Sequence, residues 1–465
     1  MYARRLLCET VAWLPLGGRL LAISLFVAPA AIAEQPDPVI LNVERTPVRI
    51  GAYSTFADLR EPLRQALVDC GRMAAVSELD HEAPGIFSLR TSRAIRALSA
   101  CPNFKQLKAS GEAAKGALTG SVWSALLKDR PLPNLEDKIE ALTLTFEATD
   151  FGQKPEWNFC QDSRSPLAVA ASPEDKSLTC RNTTDPCSML TWGPRGATAG
   201  QGRELQWILG NAMRRDPSVI QRAFGAEFDN VSRFLHTTPP PIETCDGTAP
   251  LEHFMCALWI DPVRRQVWED GLTALGRDNL VRETYRQVYA LEEFDGYKIK
   301  AYLELWRLLG LEPTEVDYAF FYDRATFIGA PPDSATIMSS LSQCMETQQS
   351  TVNRSAVARR CLARLHPHPT MPQDRLARDV AFYIDAFPDG ALTAKELRTW
   401  NQHIPVRAVR TFGLSDDKHI DVAAALKNEL SDIAAPQFDS DVLTEPERKC
   451  PLRIRQPDRT PIGTR

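Results

Sequence analysis

The stretch TWGPRGATAGQG (Thr191–Gly202) decides the fold prediction for this chain of 465 residues. It predicts a β-hairpin in which Ser188–Trp192 form one short strand, the letters GPRG form the turn and Ala197–Gln201 form the returning strand. A helix is expected to begin directly after the hairpin, at Arg203. A glycine-rich hairpin of this kind can form one wall of a substrate cleft.

The segment before the hairpin, LEDKIEALTLTFEATD, predicts a helix that ends near Glu147. Its opening turn is acidic. Its apolar residues recur at helical spacing, at Leu135, Ile139, Leu142 and Phe146. A carboxyl group against apolar walls resists ionisation and keeps its proton near neutral pH, as a general acid for a glycosidic oxygen must. Glu147 is therefore the candidate acid, and the alternative is a solvated helical glutamate.

Three motifs carry a resemblance to lysozyme-like enzymes. Arg195–Gly202 resembles both the RGxTxG hairpin of bacterial chitosanases and the TxGxG of phage-type lysozymes. Ile260–Gly276 and Phe320–Gly329 resemble the two helices that close the substrate lobe of chitosanases, separated here by an insert, Arg277–Ala319. The resemblance implies a mainly α (α+β) fold, in which a two-lobed helical domain with a small β-hairpin follows a small helical module.

The same resemblance assigns roles within the hairpin. The counterpart of Thr198 helps to hold the attacking water, and the counterpart of Arg195 braces the hairpin. Arg195 is also predicted to bind substrate. Both families carry an Asp just before the turn, whereas this chain has Trp192 and Gly193 there. The usual second carboxylate is therefore missing. Four residues are candidates to replace it: Asp150, the nearest to Glu147 in sequence, Asp162, Asp185 and Glu204.

Tryptophans near the hairpin are candidates for stacking on sugar rings. Trp192 and Trp157 are predicted to contact substrate, while Trp207, on an apolar helix face, is expected in the core. Loss of the usual Asp leaves a second hypothesis open. A chain that keeps the cleft without the base would bind glycan without cutting it.

Residues 52–130 are predicted to form a separate helical module. Pro84–Leu98 and Gly116–Leu127 resemble the two helical halves of the small bacterial peptidoglycan-binding domain. The matching positions are Gly85, Phe87, Thr91, Thr119 and Trp123, with the two threonines as helix caps. An unspecialised helical bundle is the alternative.

The catalytic domain is expected at 135–332, a helical region at 333–434 and a tail at 435–465. Helices are predicted at Ala335–Glu346, Ser355–Leu365 and Gln373–Ala386. The tail is expected to be poorly ordered apart from a tether through Cys450. No cofactor and no metal site are predicted, since Asp385–Glu396 has only part of the spacing of a calcium-binding loop and favours a helix capped by Thr393.

The amino terminus predicts export. The apolar run LLAISLFVAPA is preceded by three arginines, Arg4, Arg5 and Arg19. Small residues then precede a cleavage site after Ala33. Residues 1–33 are therefore expected to be a signal peptide. No other run is apolar enough for a transmembrane segment. The predicted location is periplasmic or secreted.

Cysteine use agrees with export. Of the 11 cysteines, Cys8 would leave with the signal, and the even number that remains indicates disulfides. Cys70 with Cys101, Cys245 with Cys256 and Cys344 with Cys361 are the local pairs that spacing favours. Sequence alone does not fix the pairing.

The net charge of the chain bears on the class of partner that it could bind. Loss of the signal would remove three Arg and one Glu and move the formal net charge from −5 to −7. A mildly acidic surface argues against nucleic acid as a partner.

The prediction is an exported hydrolase of a β-1,4-linked amino-sugar polysaccharide. Peptidoglycan is the first choice of substrate because the amino-terminal module would dock there, and chitosan is the alternative.

Overall fold

A computed structural model describes residues 37–109, 111–157, 178–180, 188–200, 202–241, 248–348, 352–422, 432–450 and 452–454. The predicted signal peptide and most of the insert 161–188 lie outside the described residues. The fold is mainly helical with four small sheets among the described residues, which confirms the mainly α prediction. None of the described helices combines the length and the apolar character needed to cross a membrane.

The amino-terminal part contains five short helices and two small antiparallel sheets. The strands are β1 (Val39–Leu41), β2 (Val48–Arg49), β3 (Ile86–Phe87) and β4 (Leu118–Thr119), paired β1 with β4 and β2 with β3. The helices are α1 (Arg60–Asp69), α2 (Met73–Asp80), α3 (Leu89–Leu98), α4 (Gly111–Lys115) and α5 (Gly120–Leu126), with 3-10 turns at Thr55–Leu59 and Pro102–Ala109.

Of the two threonines predicted as caps in this part, one caps its helix. The Thr119 hydroxyl accepts a hydrogen bond from the amide of Val122 at the start of α5. Ser88, not Thr91, caps α3, and Thr91 instead donates to the buried carboxylate of Glu82. The cap prediction for Thr91 is wrong because the chain enters the helix earlier than the sequence pattern indicates.

The middle of the chain contains the predicted helix and hairpin. The helix is α6 (Leu135–Glu147), and the strands are β5 (Glu156–Trp157), β6 (Leu178–Cys180), β7 (Ser188–Trp192) and β8 (Ala197–Gly200). Strand β7 lies between β5 and β8 in an antiparallel sheet, with Thr191 opposite Thr198. The predicted helix and hairpin are confirmed to within one residue at their ends.

Eight helices follow between the hairpin and residue 327, and seven more described elements complete the chain. The helices are α7 (Glu204–Arg215), α8 (Pro217–Phe224), α9 (Phe228–His236), α10 (Pro250–Ile260), α11 (Pro262–Leu275), α12 (Asn279–Tyr289), α13 (Gly296–Leu308) and α14 (Glu315–Phe327). After them come α15 (Ser334–Thr347), α16 (Arg354–Leu365), α17 (Pro372–Ala381), α18 (Ala394–His403), α19 (Ala408–Phe412), α20 (Glu445–Arg448) and β9 (Leu452–Ile454), which pairs with β6 in parallel.

The tail is better ordered than predicted up to Cys450. Glu447 of α20 is buried and forms an ion pair with Arg233 of α9, at 2.6 Å. The amide of Asp439 donates to the carbonyl of His236, also at 2.6 Å. These contacts hold the segment after residue 435 against the helices, so the prediction of poor order is wrong for 435–450.

Two large hydrophobic clusters form the core. The first unites the amino-terminal helices, the inner face of α6 and the later helices α13, α14, α16 and α19. The second contains Phe151, the hairpin and α7 to α12. Helix α6 packs on the first cluster and the hairpin on the second, so the segment Ala148–Trp157 runs from one to the other.

Buried ion pairs join the later helices. Arg359 of α16 is fully buried and bonds Asp317 of α14 at 2.5 Å and Asp416 at 2.9 Å. A buried guanidinium is tolerated because its donors reach carboxylates that satisfy their charge. This pairing fixes α16 against α14.

Three disulfides lie among the described residues. Cys70–Cys101 and Cys344–Cys361 confirm two predicted pairs. The third predicted pair is wrong, since Cys256 of α10 bonds Cys450, at a sequence separation of 194. The observed pair depends on tertiary packing, because α20 packs on α10 and brings Cys450 to Cys256. The predicted tether through Cys450 is thereby confirmed.

Candidate functional site

Glu147 lies at the last residue of α6, where the sequence pattern predicts it. Asn134 and Asp137 form a reciprocal cap at the start of this helix, each side chain accepting from the other's amide. The helix ends because Ala148 adopts a left-handed backbone conformation, with φ of 55°. A left-handed non-glycine residue is strained, and such residues concentrate at functional sites.

The Glu147 carboxylate is held by an arginine from a distant helix. Its Oε1 accepts from Arg378 of α17 at 2.5 Å, and the same guanidinium donates to the Phe146 carbonyl at 3.0 Å. Among the described residues Oε2 has no partner, and 24% of the side chain is exposed. Arg378 itself is buried, with its guanidinium 4.0 Å from the centre of the Phe327 ring. One oxygen of Glu147 is thus fixed and the other is open.

Arg378 belongs to a series of buried ion pairs beneath this carboxylate. It also lies 3.4 Å from Asp323, which bonds Arg375. Arg375 in turn bonds Asp379 at 2.9 Å, and Asp379 bonds Arg324 at 2.9 Å. The positive charge of Arg378 is therefore shared between two carboxylates. Sequence reasoning missed this network, because the pairs join helices far apart in the chain.

The hairpin turn contacts the segment that follows Glu147. The Thr149 hydroxyl donates to the Pro194 carbonyl at 3.4 Å. On the other side, the Tyr285 hydroxyl accepts from the Arg195 amide at 2.8 Å, and the Tyr289 hydroxyl donates to the Arg195 carbonyl at 3.2 Å. The turn is thereby fixed between α6 and α12.

The Arg195 side chain stays within the protein. Its guanidinium lies over the rings of Tyr322 and Tyr289, at 4.9 Å and 5.4 Å from their centres, and 3.7 Å from the carboxylate of Asp295. It is 11% exposed. These contacts tie the hairpin to α12, α13 and α14 and leave only a small surface for a ligand.

Two tryptophans were candidates for sugar stacking. The prediction for Trp192 is wrong, since its ring is 1% exposed and packs on Phe151 and Tyr285. It fills the second core because β7 turns this position inward. Trp157 on β5 is half-buried, packs on Trp259 and donates to Glu269 at 3.1 Å. Trp157 therefore keeps some surface that a sugar could reach.

Gly193 cannot be exchanged for the missing Asp without damage. Its φ is +79°, and a Cβ there would lie 2.8 Å from the Tyr285 ring. Tyr285 occupies the space that a carboxylate at this position would need.

We therefore expect Gly193→Asp to lower stability and to add no activity. The backbone strain alone costs about 1–3 kcal/mol, and the contact with Tyr285 adds to it. Urea unfolding of this variant beside Gly390→Asp, at a glycine with a similar φ of +83° and open space at its Cβ, checks the effect of the contact. Equal losses in the two variants would contradict the role of Tyr285.

The other carboxylates proposed as bases lie in different places. Asp150 accepts from the Ala52 amide at 3.0 Å, so one of its oxygens binds the amino-terminal segment. Asp162 and Asp185 lie outside the described residues. Glu204, at the first position of α7, accepts from the Thr198 hydroxyl at 2.6 Å. The structure therefore joins Thr198 to Glu204, not to Asp150.

A cleft of about 730 Å³ runs beside α6, and we call it the α6 cleft. Glu140, Arg286, Arg195, Glu283, Tyr285 and Pro194 are among the residues that line it. Burial raises the pKa of Glu140, although Arg286, 3.2 Å away, opposes the shift. Sequence reasoning missed Glu140, even though its position seven residues before Glu147 places both on one helix face, about 10 Å apart along the axis.

Asp385–Glu396, the segment with part of the spacing of a calcium-binding loop, has its first and last carboxylates paired with arginines. Asp385 bonds Arg407 at 2.6 Å and Arg410 at 2.9 Å, while Glu396 bonds Arg360 at 2.8 Å. Thr393 caps α18, as predicted. Within the part of the chain that the structure describes, no group of three or more His, Cys, Asp or Glu residues is placed to hold a metal ion.

No protein-family model, no curated protein and no solved structure matches this chain. The geometry of the site and the residues that carry the sequence resemblance are therefore the basis for a functional proposal.

Proposed function

We propose that the protein is an exported, lysozyme-like glycoside hydrolase that cleaves a β-1,4-linked amino-sugar polymer, with Glu147 as general acid. The observation that carries the proposal is the position of Glu147. Glu147 ends helix α6 on one core, and two residues later the Thr149 hydroxyl donates to the Pro194 carbonyl of the hairpin turn on the other core. A carboxylate close to the junction of two packed cores supports such a reaction.

The two oxygens of Glu147 support different parts of the role. Arg378 fixes the orientation of the carboxyl group through Oε1. The open Oε2 is the atom that would carry the proton to a glycosidic oxygen.

The α6 cleft supports a polymeric substrate. Glu147 is not itself among the residues that line this cleft; Thr143, one helical turn before it, and Pro194 of the hairpin are. Carboxylates and guanidinium groups both line its walls, with Glu140 and Arg286 as one ion pair. Such pairs suit the hydroxyl and amide groups of sugars, which donate and accept hydrogen bonds.

Peptidoglycan remains our first choice of substrate and chitosan the alternative. Phe87 and Trp123, two of the residues that resemble the peptidoglycan-binding domain, are buried in the core. Docking would therefore use the outer surface of the amino-terminal helices.

The test is the release of reducing ends by the mature chain from peptidoglycan sacculi, from chitosan and from a β-1,4-glucan that lacks amino groups. We expect release from one of the amino-sugar polymers and none from the glucan. No release from either amino-sugar polymer, with a folded protein, would contradict the hydrolase proposal.

A second candidate function is glycan binding without cleavage. Tyr285 fills the space that the usual base would need. The lack of room for that base favours a protein that binds glycan without cleaving it. In that case the mature chain would sediment with one polymer and release no reducing ends from it. Sedimentation of the same protein with sacculi and with chitosan beads therefore separates the two functions and identifies the polymer.

A further inference from the structure

A carboxylate, Glu204, is held by the returning strand of the hairpin. Each hairpin strand has one half-buried position, Thr191 on β7 and Thr198 on β8, and these two residues pair across the strands. Thr198 is therefore the position of β8 that solvent can reach. Its hydroxyl donates to Glu204 Oε2 at 2.6 Å, and its amide donates to the same oxygen at 3.2 Å.

The backbone between these residues is shaped to bring the carboxylate back to the strand. Arg203 adopts a left-handed conformation, with φ of 65°. At Gly202 a Cβ would collide with both Glu204 carboxylate oxygens and with the Thr198 hydroxyl. The left-handed Arg203 is a strained residue, and the absence of a side chain at Gly202 leaves room for the Glu204 carboxylate beside Thr198.

We propose that Glu204 supplies the base function that the hairpin turn lacks, acting through the Thr198 hydroxyl. This inference rests on the proposed hydrolase function. Glu204 is a positioning residue in this scheme, because Thr198 and not Glu204 contacts the water.

The proton balance of the reaction is complete. A water held by Thr198 loses a proton to the threonine oxygen, while the threonine proton moves to Glu204. The water oxygen bonds the anomeric carbon as the glycosidic C–O bond breaks, and the leaving oxygen takes the proton of Glu147. Glu204 ends protonated and Glu147 ionised, and exchange with solvent restores both.

The surroundings of Glu204 suit a base. Burial raises its pKa, and the nearby carboxylate of Asp295 adds to the shift, while the Thr198 hydrogen bonds oppose it. Tyr285 and Tyr289, which also face it, have pKa values raised by burial and stay neutral. Arg195 lies toward Asp295, at 3.7 Å. A base must be ionised, so activity should fall as the pH drops through this raised pKa.

The experiment compares Glu204→Gln with wild type in the full mature chain, on whichever polymer the wild type cleaves. We expect kcat to fall by about 10²–10⁴-fold, with KM little changed, and the acid limb of the pH profile of kcat/KM to disappear. The matched control is Glu227→Gln, whose carboxylate bonds Arg264 and Trp268 away from the hairpin. The control should keep the wild-type profile.

Thr198→Val provides an independent variant, since it removes the hydroxyl and leaves Glu204 in place. It should show the same loss of kcat with little change in KM. Azide added to Glu204→Ala should restore part of the turnover and form a glycosyl azide, because a small anion can then attack in place of the activated water.

The failures of the two proposals are distinguishable. If the wild type cleaves no polymer, the hydrolase proposal fails. If the wild type is active and Glu147→Gln is not, the inference is overturned by a Glu204→Gln or Thr198→Val enzyme with wild-type kcat and an unchanged acid limb. A Glu204→Ala enzyme that is folded, inactive and not rescued by azide also overturns it.

Discussion

Glu147→Gln is expected to lower turnover of a soluble amino-sugar polymer by about 10²–10⁴-fold, the usual contribution of a positioned acid. The amide keeps the size of the side chain, and its oxygen can still accept from Arg378. It cannot deliver a proton from the open position that Oε2 occupies. The measurement is the initial rate of reducing-end release at several pH values.

The matched control for this variant is Glu140→Gln. Glu140 lies on the same face of α6 and is also bonded by an arginine, Arg286. In our proposal it lines the substrate cleft, so its loss should raise KM more than it lowers kcat. A large loss of kcat in Glu140→Gln, with an active Glu147→Gln enzyme, would move the acid to Glu140.

Arg359→Met is expected to reduce the free energy of unfolding by about 3–5 kcal/mol, since it leaves buried carboxylates without their partner. Asp317 is fully buried and Asp416 partly so. The measurement is guanidinium unfolding with the disulfides intact, followed by circular dichroism.

The control is Arg307→Met, which removes an exposed arginine paired with Glu304 on the surface of α13. Exposed pairs contribute little to stability, so this variant should unfold close to wild type. Similar unfolding midpoints for the two variants would contradict the structural role of the Arg359 pairs.

Local sequence pattern predicted the elements around the site well. The acidic start and apolar spacing of α6 lie within one helix, and the turn residues of the hairpin lie within four positions. Such features depend on neighbours in the chain, so sequence reasoning reaches them. The mainly helical class and two of the disulfides follow from equally local signals.

Contacts between distant segments were not predictable in the same way. Arg378 lies 231 residues after Glu147, and no local pattern relates the two. Trp192 was predicted to contact substrate because it stands where the resembling families carry an Asp, but Phe151 and Tyr285 enclose it here. The helical spacing of Glu140 from Glu147 could have identified it from sequence as a neighbour on the same helix face. The burial that raises its pKa, by contrast, depends on packing against α12.

The bond between Cys256 and Cys450 has a consequence for the order of synthesis. Cys256 leaves the ribosome 194 residues before its partner, so a growing chain offers it nearer thiols first, including Cys245. A bridge between neighbours made at that stage has to be opened by thiol–disulfide exchange before the native pair can close. Formation of the native pair therefore waits until Cys450 has been synthesised, and production in a host without a disulfide isomerase should yield a mixture of pairings at Cys256.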